Sequence, residues 1–284
     1  MKLIRTVGIV GLGLIGGSMA RSVKKHTIAD VYGYDLDPEA MALAEQVGAI
    51  DAPLTGENLK DCDLLMVAVA PHALVDWVRD HADLIGKETI LVDLCGVKRY
   101  ICENLAPIAK ENGFLYVGGH PMAGKEVAGF TNSDAELYQD ASMILCPDDT
   151  VSEDTLGTLK AFYLSLGFDE VVLSTPEEHD RIIAYTSQLA HAASSAYIKS
   201  PTSRQRMGFT AGSYKDMTRV ARLDPEMWTQ LLLENRDNMV RELQELVDNL
   251  DAYLDALKAD DPAQLKKLFE EGRTLKVTEP IENC

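Results

Sequence analysis

Cysteine is scarce and scattered. Cys62, Cys95, Cys102, Cys146 and Cys284 are odd in number and include no C-x-x-C pair, so their spacing suggests neither a disulfide framework nor a zinc site. A reducing cytoplasm is the compartment this usage implies. Long apolar runs are missing too: nothing approaches the roughly 20 residues that cross a bilayer, and no secretory signal precedes the first strand pattern. Basic charge is in deficit, with 27 Lys and Arg against 45 Asp and Glu and a net charge of −18. That balance disfavours nucleic acid and anionic membranes as partners, so an anionic substrate would need a local basic pocket. The 6 histidines show no H-x-x-x-H spacing, which leaves no convincing metal set. A serine hydrolase is unsupported, because no G-x-S-x-G elbow occurs.

What is present begins at Val7. The stretch Val7-Gly8-Ile9-Val10-Gly11-Leu12-Gly13-Leu14-Ile15-Gly16-Gly17-Ser18 reads as a buried strand, a tight turn and the first turn of a helix. Gly11, Gly13 and Gly16 fill G-x-G-x-x-G: the first permits the turn, the second lets backbone approach a pyrophosphate, and the third lets helix pack on strand. Free N–H groups of Gly13, Leu14 and Ile15 at that helix start would face the phosphates. A second strand pattern, Val31 to Tyr34, ends at Asp35, 19 residues past Gly16, about where a ribose-binding acid belongs. An acid with no following Arg argues for NAD over NADP, since a carboxylate repels a 2′-phosphate. A glycine turn in some other α/β sheet is the plainer alternative.

At 284 residues, two domains with substantial cores are possible. Strand patterns at Leu64–Val69, Thr89–Asp93, Phe114–Val117, Ser142–Cys146 and Glu170–Leu173 alternate with helical ones. The fold class is therefore α/β, a Rossmann-type doubly wound and mainly parallel sheet over residues 1–174. From Thr175 the strand signal disappears, and residues 175–284 read as an all-α domain. One long helix is expected over Pro176–Lys199. A second starts at Asp224-Pro225 and continues through Leu257, with apolar residues at three- and four-residue steps. So long an apolar stripe predicts a helical dimerisation domain and a homodimer, with a longer intramolecular bundle as the alternative.

Chemistry is expected beyond the late strands. His120, in Gly-Gly-His-Pro-Met-Ala-Gly, is placed in a loop just past a strand terminus, where it can act as general base. Glu126 can orient or bind, or be a solvated acid. Ser187 and His191 are i and i+4 on one helix face, whereas His179 reads as no more than a polar residue near a helix start. The stretch Gly-Ser-Tyr-Lys-Asp-Met-Thr-Arg, ending at Arg219, is rich in groups that bind carboxylates, with Arg219 offering the bidentate fork. Arg204 and Arg206 are explained equally well by surface solvation. A nicotinamide cofactor beside a histidine and an arginine points to hydride transfer from a hydroxylated acid.

Six pieces together, Val-Gly-Leu-Gly-Leu-Ile-Gly-Gly-Ser, Gly-Gly-His-Pro-Met-Ala-Gly-Lys-Glu, Glu-Glu-His-Asp-Arg with Ser-Gln-Leu-Ala-His, Lys-Asp-Met-Thr-Arg and Asp-Pro-Glu-Met-Trp, span Val10 to Trp228. The combination resembles the prephenate/arogenate dehydrogenase family of tyrosine biosynthesis. The resemblance implies NAD-dependent oxidative decarboxylation of prephenate, or of arogenate. It implies His120 as the catalytic base, Arg219 on the ring carboxylate and His191 near the substrate side chain. Glu126 is implied as an active-site acid, Ser187 as a substrate neighbour, and Trp228 as a residue reaching the site across a dimer interface. The rival readings are a β-hydroxyacid dehydrogenase, which relies on a helix-borne lysine whereas Lys199 only ends a helix, and a non-catalytic NAD sensor.

One departure stands out. The family often has Asp-x-Gly-Ser-Val-Lys where this chain has Asp93-Leu94-Cys95-Gly96-Val97-Lys98, so Gly96 replaces a serine that helps hold the catalytic histidine. His120 would need another partner, a backbone group or water. Cys95 reads as a small packed residue rather than a reactive thiol.

Overall fold

Leu64, Leu65, Met66 and Val67 are all fully buried, as a continuous apolar run in the middle of a parallel sheet requires. They form one strand of the computed structural model, which describes residues 3–278; Cys284 lies outside the described residues. In chain order come β1 (Thr6–Val10), α1 (Leu14–His26), β2 (Asp30–Tyr34), α2 (Pro38–Gln46), β3 (Ala52–Pro53), β4 (Leu64–Val67) and α3 (Pro71–His81). Next are β5 (Ile90–Asp93), α4 (Arg99–Asn112), β6 (Leu115–Pro121), β7 (Ser142–Cys146), α5 (Glu153–Ser165) and β8 (Glu170–Leu173). The order β3-β2-β1-β4-β5-β6-β7-β8 makes one 8-stranded sheet that reverses direction of growth between β1 and β4. Such a switch point opens a crevice at the carboxyl ends of the strands, where ligands bind.

Both faces of the sheet are covered. Val7, Ile9, Val31, Leu64 and Met66 pack with Met19 and Val23 of α1 and Leu159 of α5 on one side. Leu65, Val67 and Leu91 pack with Leu74 and Val78 of α3 and Ile101 and Leu105 of α4 on the other. Helix starts follow their capping residues: Asp37 accepts from the Glu39 N–H, Ser152 from that of Thr155 and Thr175 from that of Glu178. All pairings are parallel except β6 with β7, whose register runs from Gly118↔Cys146 to Pro121↔Met143. That antiparallel partner lengthens β6. His120 is therefore inside a strand, opposite Ile144, and not in a loop beyond one as its glycine-rich surroundings suggest.

After Leu173 the described chain is helical: α6 (Pro176–Ile183), a π-helical turn (Ala184–Leu189), α7 (Ala190–Tyr197), α8 (Gly212–Thr218) and α9 (Pro225–Glu234). The helix expected over residues 176–199 is thus interrupted by a π turn, a feature that often accompanies functional sites. The helix expected from Pro225 through Leu257 also breaks. Asn235 leaves helical geometry at φ −116° and ψ 28°, and its buried Nδ2 donates to the Asp180 carbonyl at 2.7 Å and to Gln188 Oε1 at 2.8 Å. Long-range hydrogen bonds take the asparagine out of the helix, and no local pattern records them.

The chain divides into two compact units at residue 235. The second contains α10 (Arg236–Lys258) and α11 (Pro262–Thr278), with the Tyr253 and Phe269 rings 5.2 Å apart between them. On α10, Leu243, Val247, Leu250, Leu254 and Leu257 are all more than 40% exposed, at steps of four and three residues.

Candidate active site

The glycine turn has little freedom to be anything else. Gly11 has φ +85°, and a Cβ on Gly16 would lie 1.8 Å from the Gly11 carbonyl oxygen. At Gly13, by contrast, a Cβ would meet nothing within 4 Å, so the backbone faces open space. Helix α1 begins there without a side-chain cap, which leaves its first N–H groups free for an anion. Asp35 stands over the same turn: its carboxylate accepts from the Leu12 N–H at 2.6 Å and the Asp37 N–H at 2.9 Å. An uncapped helix start, an open glycine and a carboxylate across from them fit a dinucleotide with a free ribose diol.

From Gly13, Leu14 and Ile15 a cleft of about 740 Å³ runs past Gly96 to His120, Glu126, Ser187, His191, Arg219 and Trp228. The structure so brings all of the expected catalytic and substrate-binding residues to one cleft. Gly11, Gly16 and Asp35 shape the turn behind it. Arg219 donates to Glu126 in an ion pair, and the hydrogen bonds of Glu126, from its own backbone N–H and from Arg219, hold its carboxyl below the usual range. His191 donates from Nδ1 to the Ser187 carbonyl at 2.9 Å and stacks on Trp228 with centroids 4.0 Å apart. Trp228 thereby reaches the cleft from the same chain, whereas the resemblance puts this residue across a dimer interface. Arg222 also lines the cleft and adds positive charge beside Arg219.

His120 has a partner that sequence reasoning missed. Its Nδ1 lies 2.9 Å from Nε2 of His179, and His179 Nδ1 lies 2.8 Å from Oδ1 of Asp180. More than a polar residue near a helix start, His179 is buried at 2% exposure, and Asp180 at 0%. The signal available in the sequence was the His-Asp pair itself, on the first turns of a strongly amphipathic helix. Asp180 also accepts from the backbone N–H groups of Lys98 at 2.7 Å and Arg99 at 3.0 Å, tying α6 to the start of α4. Burial raises the Asp180 pKa, but the bonds from His179, Arg99 and Lys98 outweigh it and the net shift is downward. His120 is held well below the ordinary imidazole value, chiefly by burial and further by His179 and Lys98.

Beneath His120 sits a second buried network that the sequence did not announce. Lys98 is ion-paired to Asp93, both side chains fully buried, and donates to the Gly119 carbonyl at 2.6 Å. Asp93 also accepts from the Tyr116 hydroxyl at 2.7 Å and the Gly119 N–H at 3.2 Å. Every oxygen of that carboxylate is used, as burial of a charge demands. Cys95 is packed beside it, with burial pushing its thiol up to about 12, so it is not a nucleophile. Lys199 is exposed and outside the cleft.

Residues 19–180 match the family profile described as "Prephenate dehydrogenase, nucleotide-binding domain", and residues 175–271 the one described as "Prephenate dehydrogenase, dimerization domain". The chain belongs to the prephenate dehydrogenase family. Similar relatives are a prephenate dehydrogenase of Bacillus subtilis, 26% identical over 94% of this chain and 74% of that one, and a cyclohexadienyl dehydrogenase of Zymomonas mobilis, 27% identical over 96% and 95%. Among solved structures, a prephenate dehydrogenase of Aquifex aeolicus in complex with hydroxyphenyl propionate and NAD+ superposes with a TM-score of 0.84. It is 25% identical, over 97% of this chain and 98% of that one. As a member of this family the chain is an NAD-dependent oxidoreductase with a Rossmann-type domain. Among the described residues, no helix is long and apolar enough to cross a membrane.

Proposed function

We propose that this chain catalyses NAD-dependent oxidative decarboxylation of prephenate to 4-hydroxyphenylpyruvate, a step of tyrosine biosynthesis. The observation that carries the reading is His120, a neutral imidazole whose Nε2 makes no hydrogen bond among the described residues and lines the cleft that also holds Arg219 and His191. Gly11, Gly13, Leu14, Ile15, Gly16 and Asp35 would hold NAD, which when bound supplies the hydride acceptor. His120 Nε2 accepts the proton of the ring hydroxyl as hydride leaves the same carbon. Loss of the ring carboxylate as CO2 aromatises the ring, and His120 returns the proton to the phenolic oxygen. No net proton is consumed, so the base is regenerated within each turnover.

Arg219 binds the ring carboxylate and gives up Glu126 in part to do so; a guanidinium fork suits a carboxylate. His191, held by Ser187 and stacked on Trp228, meets the substrate side chain with its free Nε2. In this reading residues 1–174 carry the cofactor and residues 175–284 carry substrate binding and a homodimer contact. The exposed apolar row on α10 supports that contact, since its steps of four and three residues match a helix–helix seam. A cytoplasmic location belongs to the same reading, supported by the free thiols of Cys62, Cys95, Cys102 and Cys146.

The test is NADH formation with prephenate and with arogenate, each with NAD and NADP. Turnover with prephenate and NAD is expected. Turnover with arogenate alone would reassign the substrate, and none with either would end the proposal.

A further inference from the structure

His120 is a base only if one tautomer dominates, because an imidazole accepts a proton at a nitrogen that carries none. The sequence resemblance expects a serine that helps hold this ring, and here Gly96 stands at that position. A Cβ at Gly96 would lie 3.9 Å from His120 Nε2, so on the cleft side the ring faces space rather than a hydroxyl. Its hold must come from the other nitrogen, where His179 is its side-chain hydrogen-bond partner.

The direction of that bond is decided one residue further back. Asp180 has no proton to give: it accepts from two backbone N–H groups, and its carboxyl is held ionised. His179 Nδ1 must then be the donor to Asp180 Oδ1. A neutral His179 with its proton on Nδ1 has a bare Nε2, and that nitrogen can only accept from His120. We propose that His179 and Asp180 are positioning residues that lock His120 as its Nδ1–H tautomer, leaving Nε2 bare toward the cleft and replacing the support of the serine missing at Gly96. The relay also serves the charged state. When His120 takes a proton at Nε2, the imidazolium points its Nδ1–H at an acceptor backed by a carboxylate, while the buried Lys98 is neutralised by Asp93 and Arg99 by Asp180.

The inference rests on the dehydrogenase reading, so one measurement is made without substrate. In the resting protein, 15N NMR of the imidazoles, with His120 assigned by its loss in His120→Asn, should show a protonated Nδ1 and a bare Nε2. A ring protonated at Nε2, or exchanging between tautomers, would overturn the proposal whatever the substrate proves to be. In turnover, His179→Leu removes the acceptor and should lower kcat roughly 100-fold, as expected when a general base is disabled, with KM little changed. His179→Gln restores an amide oxygen near the position of Nε2 and should recover part of kcat, with the acid limb of the kcat profile displaced because the link to Asp180 is cut. Wild-type kcat and pH profile in His179→Leu would refute the relay. So would equal losses in the Leu and Gln variants with an unshifted profile, which is what a purely structural role produces. If His179→Leu does not fold, the Gln variant and the tautomer measurement decide alone.

Discussion

Trp228 lies against His191 with ring planes 28° from parallel and centroids 4.0 Å apart, and the His191 ring is pinned on its other edge by the Ser187 carbonyl. A π turn and the first turns of α9 thus fix one imidazole from two directions. Trp228→Leu removes one of them. Stacked aromatic pairs contribute about 0.5–1.5 kcal/mol beyond burial, so KM for prephenate should rise roughly 3- to 10-fold with kcat less affected, measured by steady-state kinetics.

Arg219 and Glu126 form an ion pair in which the arginine side chain is 67% exposed. Exposed pairs stabilise a fold by about 0–1 kcal/mol, while a charge-assisted bond to a bound carboxylate is worth about 1.5–3 kcal/mol. Arg219→Ala should therefore raise KM roughly 10- to 100-fold and leave the thermal midpoint nearly unchanged. A large drop in midpoint with unchanged KM would move the arginine from substrate binding to structure.

Lys98 and Asp93 behave differently because neither touches water. Removing one partner of a buried pair strands a charge at a cost of about 3–5 kcal/mol. Lys98→Met should lose about that much in urea unfolding, and the double variant Lys98→Met with Asp93→Asn should recover part of it. The same loss would displace Gly119 and with it the adjoining His120.

Acid should weaken the fold through the relay histidines. Burial holds both His120 and His179 below the ordinary imidazole value, so as pH falls through about 6.5 the unfolded chain takes up protons that the folded chain refuses. Stability then declines with falling pH, and above that range these two groups contribute no slope. Asp180, held below its ordinary value, adds a loss at still lower pH. Urea midpoints across this range should show the decline, and His120→Asn should make it shallower. The acid limb of kcat/KM should lie below about 6.5 for the same reason.

Asp35 offers the cofactor test. Its carboxylate is fixed over the glycine turn by the Leu12 and Asp37 N–H groups, where a 2′-phosphate would meet like charge. Asp35→Ser should weaken NAD and relax the discrimination against NADP, read by fluorescence titration of each cofactor.

Much of this was written locally. The glycine turn with Asp35, the apolar runs of β4 and β5, the capping residues Asp37, Ser152, Thr175 and Asp224, and the motif histidines and arginine are each readable within a few residues, because turn geometry, strand burial and helix starts are short-range physics. What tertiary structure alone decided lies in pairs distant along the chain. The antiparallel β7 drew His120 into a strand, Asn235 broke a helix to reach Asp180 and Gln188, Asp93 found Tyr116 and Gly119 in the interior, and His179 turned from a helix-end residue into the partner of His120. A buried donor or charge must be satisfied by whatever the fold brings within 3 Å, and that identity depends on how the elements pack, which no short window of the sequence contains.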